Sequence, residues 1–170
     1  MNLLEELGIK YGTDKIGKHN YLPVYFDLFK NRRNEVKKVL EIGVGEGAGL
    51  RMFRDFFPNA TIYGAEIDEK RIFKEERIEV FNFDQSSVKS IYKSIDLLGE
   101  LDLVIDDGSH YPLDQIFTCY GMMPFLKKDA VYIIEDVADT DIISILSNKY
   151  YVDVKEVGKR YDDRLLIIKK

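Results

Sequence analysis

Glu41-Ile42-Gly43-Val44-Gly45-Glu46-Gly47-Ala48-Gly49 follows the apolar run Val39-Leu40 and precedes a stretch with helical spacing (Leu50, Phe53, Phe56, Phe57) that stops at Pro58. A glycine-rich turn between a strand and a helix lets the backbone approach a ligand closely. Gly43, Gly45 and Ala48 satisfy the G-x-G-x-x-[GA] nucleotide fingerprint. The pattern serves nicotinamide dinucleotides and S-adenosylmethionine alike, so the loop alone does not separate them.

Outward from this loop, strands alternate with helices. Residues 61–67, 78–81, 101–105 and 130–134 read as further strands, with Ser86 or Ser87 placed to cap a helix after the second of these. Helix signals cover 112–126 and 140–147. Two late strands, near 150–157 and 164–169, are joined by a short polar turn and should pair antiparallel. Five strand–helix units predict an α/β, doubly wound and mostly parallel sheet with helices on both faces, closed by an antiparallel C-terminal strand. Residues before about 35 precede the sheet as one or two helices, with 11–21 an irregular loop.

In 170 residues a second domain has little room. Apolar residues make up 45% and charged residues 32%, the balance of a soluble globular protein. A net charge of −5 argues against nucleic acid as the main partner. Cys119 is the single cysteine, which excludes an internal disulfide and suits a reducing cytoplasm. It lies in an apolar helical stretch, as a small buried residue rather than a nucleophile. No signal pattern opens the chain and no apolar run approaches a membrane span.

Glu66 ends the second strand, with Ile67 and Asp68 beyond it. A carboxylate there can accept both hydrogen bonds of a ribose diol; the alternative is an ordinary turn acid. Asp84 and Gln85 end the third strand and could hold an adenine amino group or merely form a surface turn. Glu41, two residues before the first glycine, could orient the loop or meet a ligand amino group.

The fourth strand ends in Asp106-Asp107-Gly108-Ser109-His110 and the fifth in Glu135-Asp136. Adjacent parallel strands lie about 4.8 Å apart, and their carboxyl ends face the ligand crevice. Four converging carboxylates repel one another without a cation. Oxygen ligands favour Mg²⁺, Mn²⁺ or Ca²⁺ over zinc. The competing reading has these acids capping helices, Asp136 in particular. His110, three residues past Asp107, is placed as a general base; His19 is the other histidine.

Gly12-Thr13-Asp14-Lys15 with His19 and Tyr21, Leu40 to Gly45, Ile105 to His110, and Ile133-Ile134-Glu135-Asp136 together resemble the metal-dependent sugar O-methyltransferases of the macrolide (mycinamicin and macrocin) type. The resemblance spans nearly the whole chain. It implies a Rossmann-like seven-stranded methyltransferase domain over 1–170, with 1–35 covering the site. It implies S-adenosylmethionine and Mg²⁺ or Mn²⁺ as cofactors and a sugar-like hydroxyl as acceptor, with no nucleic acid or membrane partner and a homo-oligomer left open. Asp107, Glu135 and Asp136 would ligate the metal, with His110 and Asp107 catalytic. Thr13, Lys15, Ile67 and Asp106 would join Glu41, Gly43, Gly45, Glu66, Asp84 and Gln85 around the cofactor. Glu66 stands where an aspartate is commoner in the family. Competing functions are a metal-independent methyltransferase acting on an amine, a phosphoramidate or RNA, an oxygenase component, and a non-catalytic S-adenosylmethionine-binding subunit.

Overall fold

The computed structural model describes residues 1–170. Two helices, α1 (Leu3–Tyr11) and α2 (Leu22–Phe29), precede the sheet. Then come β1 (Lys38–Ile42), α3 (Ala48–Phe56), β2 (Thr61–Glu66), β3 (Lys74–Glu75), β4 (Ile78–Asn82) and α4 (Val88–Leu98). The chain continues through β5 (Leu103–Asp106), α5 (Pro112–Met122), β6 (Val131–Ile134), α6 (Asp141–Ser147), β7 (Tyr151–Glu156) and β8 (Arg164–Lys169).

The eight strands form one sheet in the order β3-β4-β2-β1-β5-β6-β8-β7. β4, β2, β1, β5 and β6 run parallel; β8 pairs antiparallel with β6 and with β7. The expected architecture is present, with one strand more than the seven foreseen. That strand, β3, is two charged residues paired antiparallel to β4 at the sheet edge, too short to show an apolar pattern.

Side chains alternate across the strands, and the alternation divides the core. Val39, Leu103, Ile105, Val131 and Ile133 face a cluster built with Leu4, Tyr25, Phe29 and Phe53 from α1, α2 and α3. Leu40, Ile42, Val104, Tyr132 and Ile134 face a second cluster with Ile91, Cys119, Met122 and Leu146 from α4, α5 and α6. Burying each such aliphatic or aromatic side chain contributes about 1.5–3 kcal/mol, so each face holds its helices firmly. By the same alternation Glu41 points to the α1–α3 side, where it meets α3.

Local signals set the helix ends. Asn2 and Glu5 form a capping box at the start of α1, and Gly12 closes it with a left-handed φ of 70°. Ser87 caps α4. The strand order reverses at β1, with β2 on one side and β5 on the other. Ligand crevices form at the carboxyl edge of such a switch point. No helix is long and apolar enough to cross a membrane.

Candidate active site

A cleft of about 800 Å³ opens at this carboxyl edge, within the size range of small-molecule sites. The glycine loop, the ends of β2 and β5, the segment after β4, and Gly12 to Lys15 line it. Thr13, Lys15, Glu41, Gly43, Gly45, Glu66, Ile67, Asp84 and Gln85 all border this space.

Gly43 holds a φ of +82°, and a β-carbon there would stand 2.0 Å from the Asp107 carbonyl oxygen. The first turn of the loop is thus pressed against the end of β5. The Gly43 N–H donates to the Ala65 carbonyl at 2.9 Å, and the Asp107 N–H to that of Ile42 at 2.9 Å. Three strand ends are tied to one another by these contacts. A β-carbon on Gly49 would fall 2.5 Å from a Glu41 oxygen, so α3 approaches β1 only because that position is glycine.

Glu66 is buried and fixed from both sides: one oxygen accepts from the Val44 N–H and the other from the Asp68 N–H, each at 3.0 Å. Each oxygen keeps a lone pair for a ligand hydroxyl. Glu41 is 2% exposed. One of its oxygens pairs with Lys15 at 3.2 Å while the other is buried with no partner. Burial raises the Glu41 carboxyl to about 7 against the opposing pull of Lys15.

Asp106 does not reach the cleft. It is fully buried, accepts two hydrogen bonds from the Gln85 amide and one from Tyr132, and is pushed up to about 6 by burial. The Gln85 amide oxygen in turn accepts from the Ser109 N–H at 2.9 Å. Gln85 therefore braces the Asp106 to Ser109 turn while lining the cleft.

Beside the cleft, ligand atoms of Asp107, His110 and Asp136 all lie within 4.8 Å of one another. His110 Nε2 stands 3.9 Å from Asp107 Oδ1 and 3.8 Å from Asp136 Oδ2. His110 and Asp136 hold left-handed backbone conformations, with φ of 57° and 53°, uncommon away from glycine and frequent at functional sites. Asp136 caps no helix: α6 starts at Asp141 with Thr140 before it.

Glu135 stands behind this group, its oxygens facing Lys15 at 2.6 Å and the Tyr25 hydroxyl. Lys15 is buried and also touches Asp107 at 2.7 Å. Burial would lower its ammonium, but Asp107, Glu135 and Glu41 raise it well above its ordinary value. Burial raises the Glu135 carboxyl strongly, with Lys15 opposing. His19 is buried at the edge of the group: its Nδ1 pairs with Asp163 at 3.0 Å and stands 3.6 Å from Asp136 Oδ1. Hard carboxylate donors with an imidazole alongside suit Mg²⁺ or Mn²⁺, and the buried unpaired Glu41 oxygen suits a ligand ammonium. Tyr25 escaped the sequence reading, as did the pairing of Asp163 with His19. Tyr25 sits four residues past Tyr21 and so shares its helix face, the one signal that marks it.

This strand order with this glycine loop is the class I S-adenosylmethionine-dependent methyltransferase fold. The chain superposes on the MycE methyltransferase of the mycinamicin biosynthetic pathway in complex with Mg and SAH, with a TM-score of 0.84 and 27% identity over 99% of this chain and 54% of that one. The same enzyme in complex with Mg, SAH and mycinamicin VI gives a TM-score of 0.84 and 26% identity over 99% and 53% of the two chains.

Its sequence relatives are sugar O-methyltransferases of natural-product pathways. The mycinamicin VI 2''-O-methyltransferase of Micromonospora griseorubida is 36% identical over 142 residues, 79% of this chain and 36% of that protein. The demethylmacrocin O-methyltransferase of Streptomyces fradiae is 35% identical over 142 residues, again 79% and 36%. A tetracenomycin rhamnosyl 2'-O-methyltransferase of Streptomyces olivaceus is 33% identical over 141 residues, 79% and 37%. The chain spans little more than a third of the length of these curated relatives. No protein-family profile matches it.

Proposed function

We propose that this chain is an S-adenosylmethionine-dependent, divalent-metal-assisted O-methyltransferase acting on a hydroxyl of a sugar or sugar-like small molecule. The observation that carries this reading is the Asp107, His110 and Asp136 group directly beside a glycine-lined cleft, with Asp107 belonging to both. The relatives, named for the same transfer to sugars, support it.

Glu66 would accept the ribose hydroxyls with its remaining lone pairs. The unpartnered Glu41 oxygen would receive the amino group of the methionine portion. Gly43 and Gly45 would give the loop backbone its close approach, and Asp84 and Gln85 would stand at the adenine end. Asp107, Glu135 and Asp136 would hold Mg²⁺ or Mn²⁺. S-Adenosylmethionine supplies an electrophilic methyl group on a sulfonium, and a divalent cation supplies positive charge that makes a hydroxyl more acidic. His110 would take the proton of the reacting hydroxyl as general base. The residues around the cleft contribute chiefly by fixing the two reactants in line. A single buried cysteine fits a reducing, cytoplasmic setting.

The test combines purified protein, S-adenosylmethionine and a panel of glycosylated natural products. Methyl transfer that stops on chelation, returns with Mg²⁺ and is lost in His110→Ala is expected. Transfer that survives chelation or His110→Ala overturns this reading.

A further inference from the structure

The first 25 residues send hydrogen-bond donors to all three acids proposed to hold the metal, Lys15 serving both Asp107 and Glu135. Lys15 reaches Asp107 at 2.7 Å, the Tyr21 hydroxyl reaches Asp136 Oδ1, and the Tyr25 hydroxyl reaches Glu135 Oε1. These acids lie 92 to 120 positions further along the chain, so the match is a product of the fold alone.

Both tyrosine side chains are rigidly held. Tyr25 is fully buried and packs on Phe53 with ring centroids 5.6 Å apart. Tyr21 is 1% exposed and stacks on His19 at 4.9 Å. Each hydroxyl is therefore delivered to a fixed point. A phenol is protonated at neutral pH, so each hydroxyl is a donor to its carboxylate. Asp136 follows β6 in a left-handed conformation with no regular structure to orient it. The Tyr21 hydroxyl donates to Asp136 Oδ1, with His19 Nδ1 further off at 3.6 Å, while Oδ2 faces His110.

We propose that Tyr21 and Tyr25 are positioning residues of the metal site, whose hydroxyls hold Asp136 and Glu135 in the orientation that receives the cation. This rests on the metal reading above. Ligand carboxylates are commonly held by outer hydrogen bonds, and removing such a partner costs about 10–100-fold in metal affinity. The competing role is structural: two buried tyrosines whose hydroxyls simply need acceptors.

Tyr21→Phe and Tyr25→Phe in the full chain separate these roles, because each removes one oxygen and keeps the ring. Mn²⁺ binding is followed by electron paramagnetic resonance, S-adenosylhomocysteine binding by calorimetry, and unfolding by a thermal melt without metal. The proposal expects Mn²⁺ affinity to fall about 10–100-fold, with S-adenosylhomocysteine affinity and the metal-free melt close to wild type. Tyr21→Phe carries the decision, its hydroxyl being the less enclosed of the two. Unchanged Mn²⁺ affinity in Tyr21→Phe overturns the proposal. So does a parallel fall in both ligand affinities and the melting temperature, which marks a structural role. A wild-type protein that binds no Mn²⁺ overturns the metal reading itself and this inference with it.

Discussion

The Lys15 ammonium stands 2.6 Å from a Glu135 carboxylate oxygen, with both side chains closed off from solvent. The same ammonium touches Asp107 and Glu41. One cation thus links the glycine-loop strand to the two strand ends that carry the acids. Its removal leaves buried carboxylates facing one another. Lys15→Met is therefore expected to cost about 3–5 kcal/mol, the cost of breaking a buried pair by deleting one partner. Lys15→Arg should not restore this, because a planar fork cannot occupy a point shared by three carboxylates. Urea denaturation of the metal-free protein checks both. Wild-type stability in Lys15→Met would mean the acids are already neutral.

The glycine loop makes a graded prediction. At Gly45 the φ of +52° is the only obstacle to a side chain, since nothing lies within 4 Å of the added carbon. Gly45→Ala should cost about 1–2 kcal/mol from backbone strain alone. At Gly43 the same strain is joined by a 2.0 Å clash with the Asp107 carbonyl, which belongs to backbone and cannot swing aside. Gly43→Ala should cost about 2–5 kcal/mol and displace Asp107. Equal midpoints for the two variants in urea would disprove the close approach of loop and strand end.

The sequence carried the fold in its apolar runs and the turn after each. It placed the acids correctly at neighbouring strand ends, because β5 and β6 are adjacent and parallel. β3 was illegible: Lys74 and Glu75 have no apolar pattern, and their pairing depends on β4. The partners of those acids were illegible for a related reason. Which donor meets Glu135 or Asp136 depends on how the segment before β1 folds across the sheet edge, and no periodicity encodes that path. Asp106 shows the opposite limit. Its neighbour Asp107 points to the cleft, so strand alternation sends Asp106 inward to Gln85 and Tyr132.

Glu66 gives a test of the cofactor end. Both its oxygens accept backbone N–H groups, from Val44 and Asp68. Glu66→Gln replaces one acceptor with an amide that must face an N–H donor. An unsatisfied buried group costs about 1–3 kcal/mol, and the charge that would bind a ribose diol is lost as well. Affinity for S-adenosylhomocysteine should drop about tenfold or more, as read by calorimetry. Affinity equal to wild type would remove Glu66 from the ribose site.

Asp55 on α3 sets a pH dependence remote from the cleft. It accepts from Lys10 at 2.9 Å, from the Tyr11 hydroxyl at 2.5 Å and from Arg54 at 3.0 Å. Burial would raise its carboxyl, but the bonds from Tyr11, Lys10 and Arg54 outweigh this and lower it from 3.8 to about 2. A carboxyl depressed in the folded state contributes stability that is complete above its unfolded value. That stability is lost as the pH falls through the folded one. The window therefore runs from about 4 down to about 2, and acid weakens the tie between α1 and α3. The side chain is 25% exposed, so solvent screening limits the contribution to about 1 kcal/mol. Asp55→Asn should be less stable than wild type by that amount at neutral pH, with the gap closing as the pH drops through this window. Because Tyr11 leads directly into Gly12 and Thr13 at the cleft wall, loosening this tie should also free the start of that wall. Urea midpoints of the two proteins between pH 7 and pH 2 provide the measurement. A gap that stays constant with pH would show that the Asp55 charge is not what joins the helices.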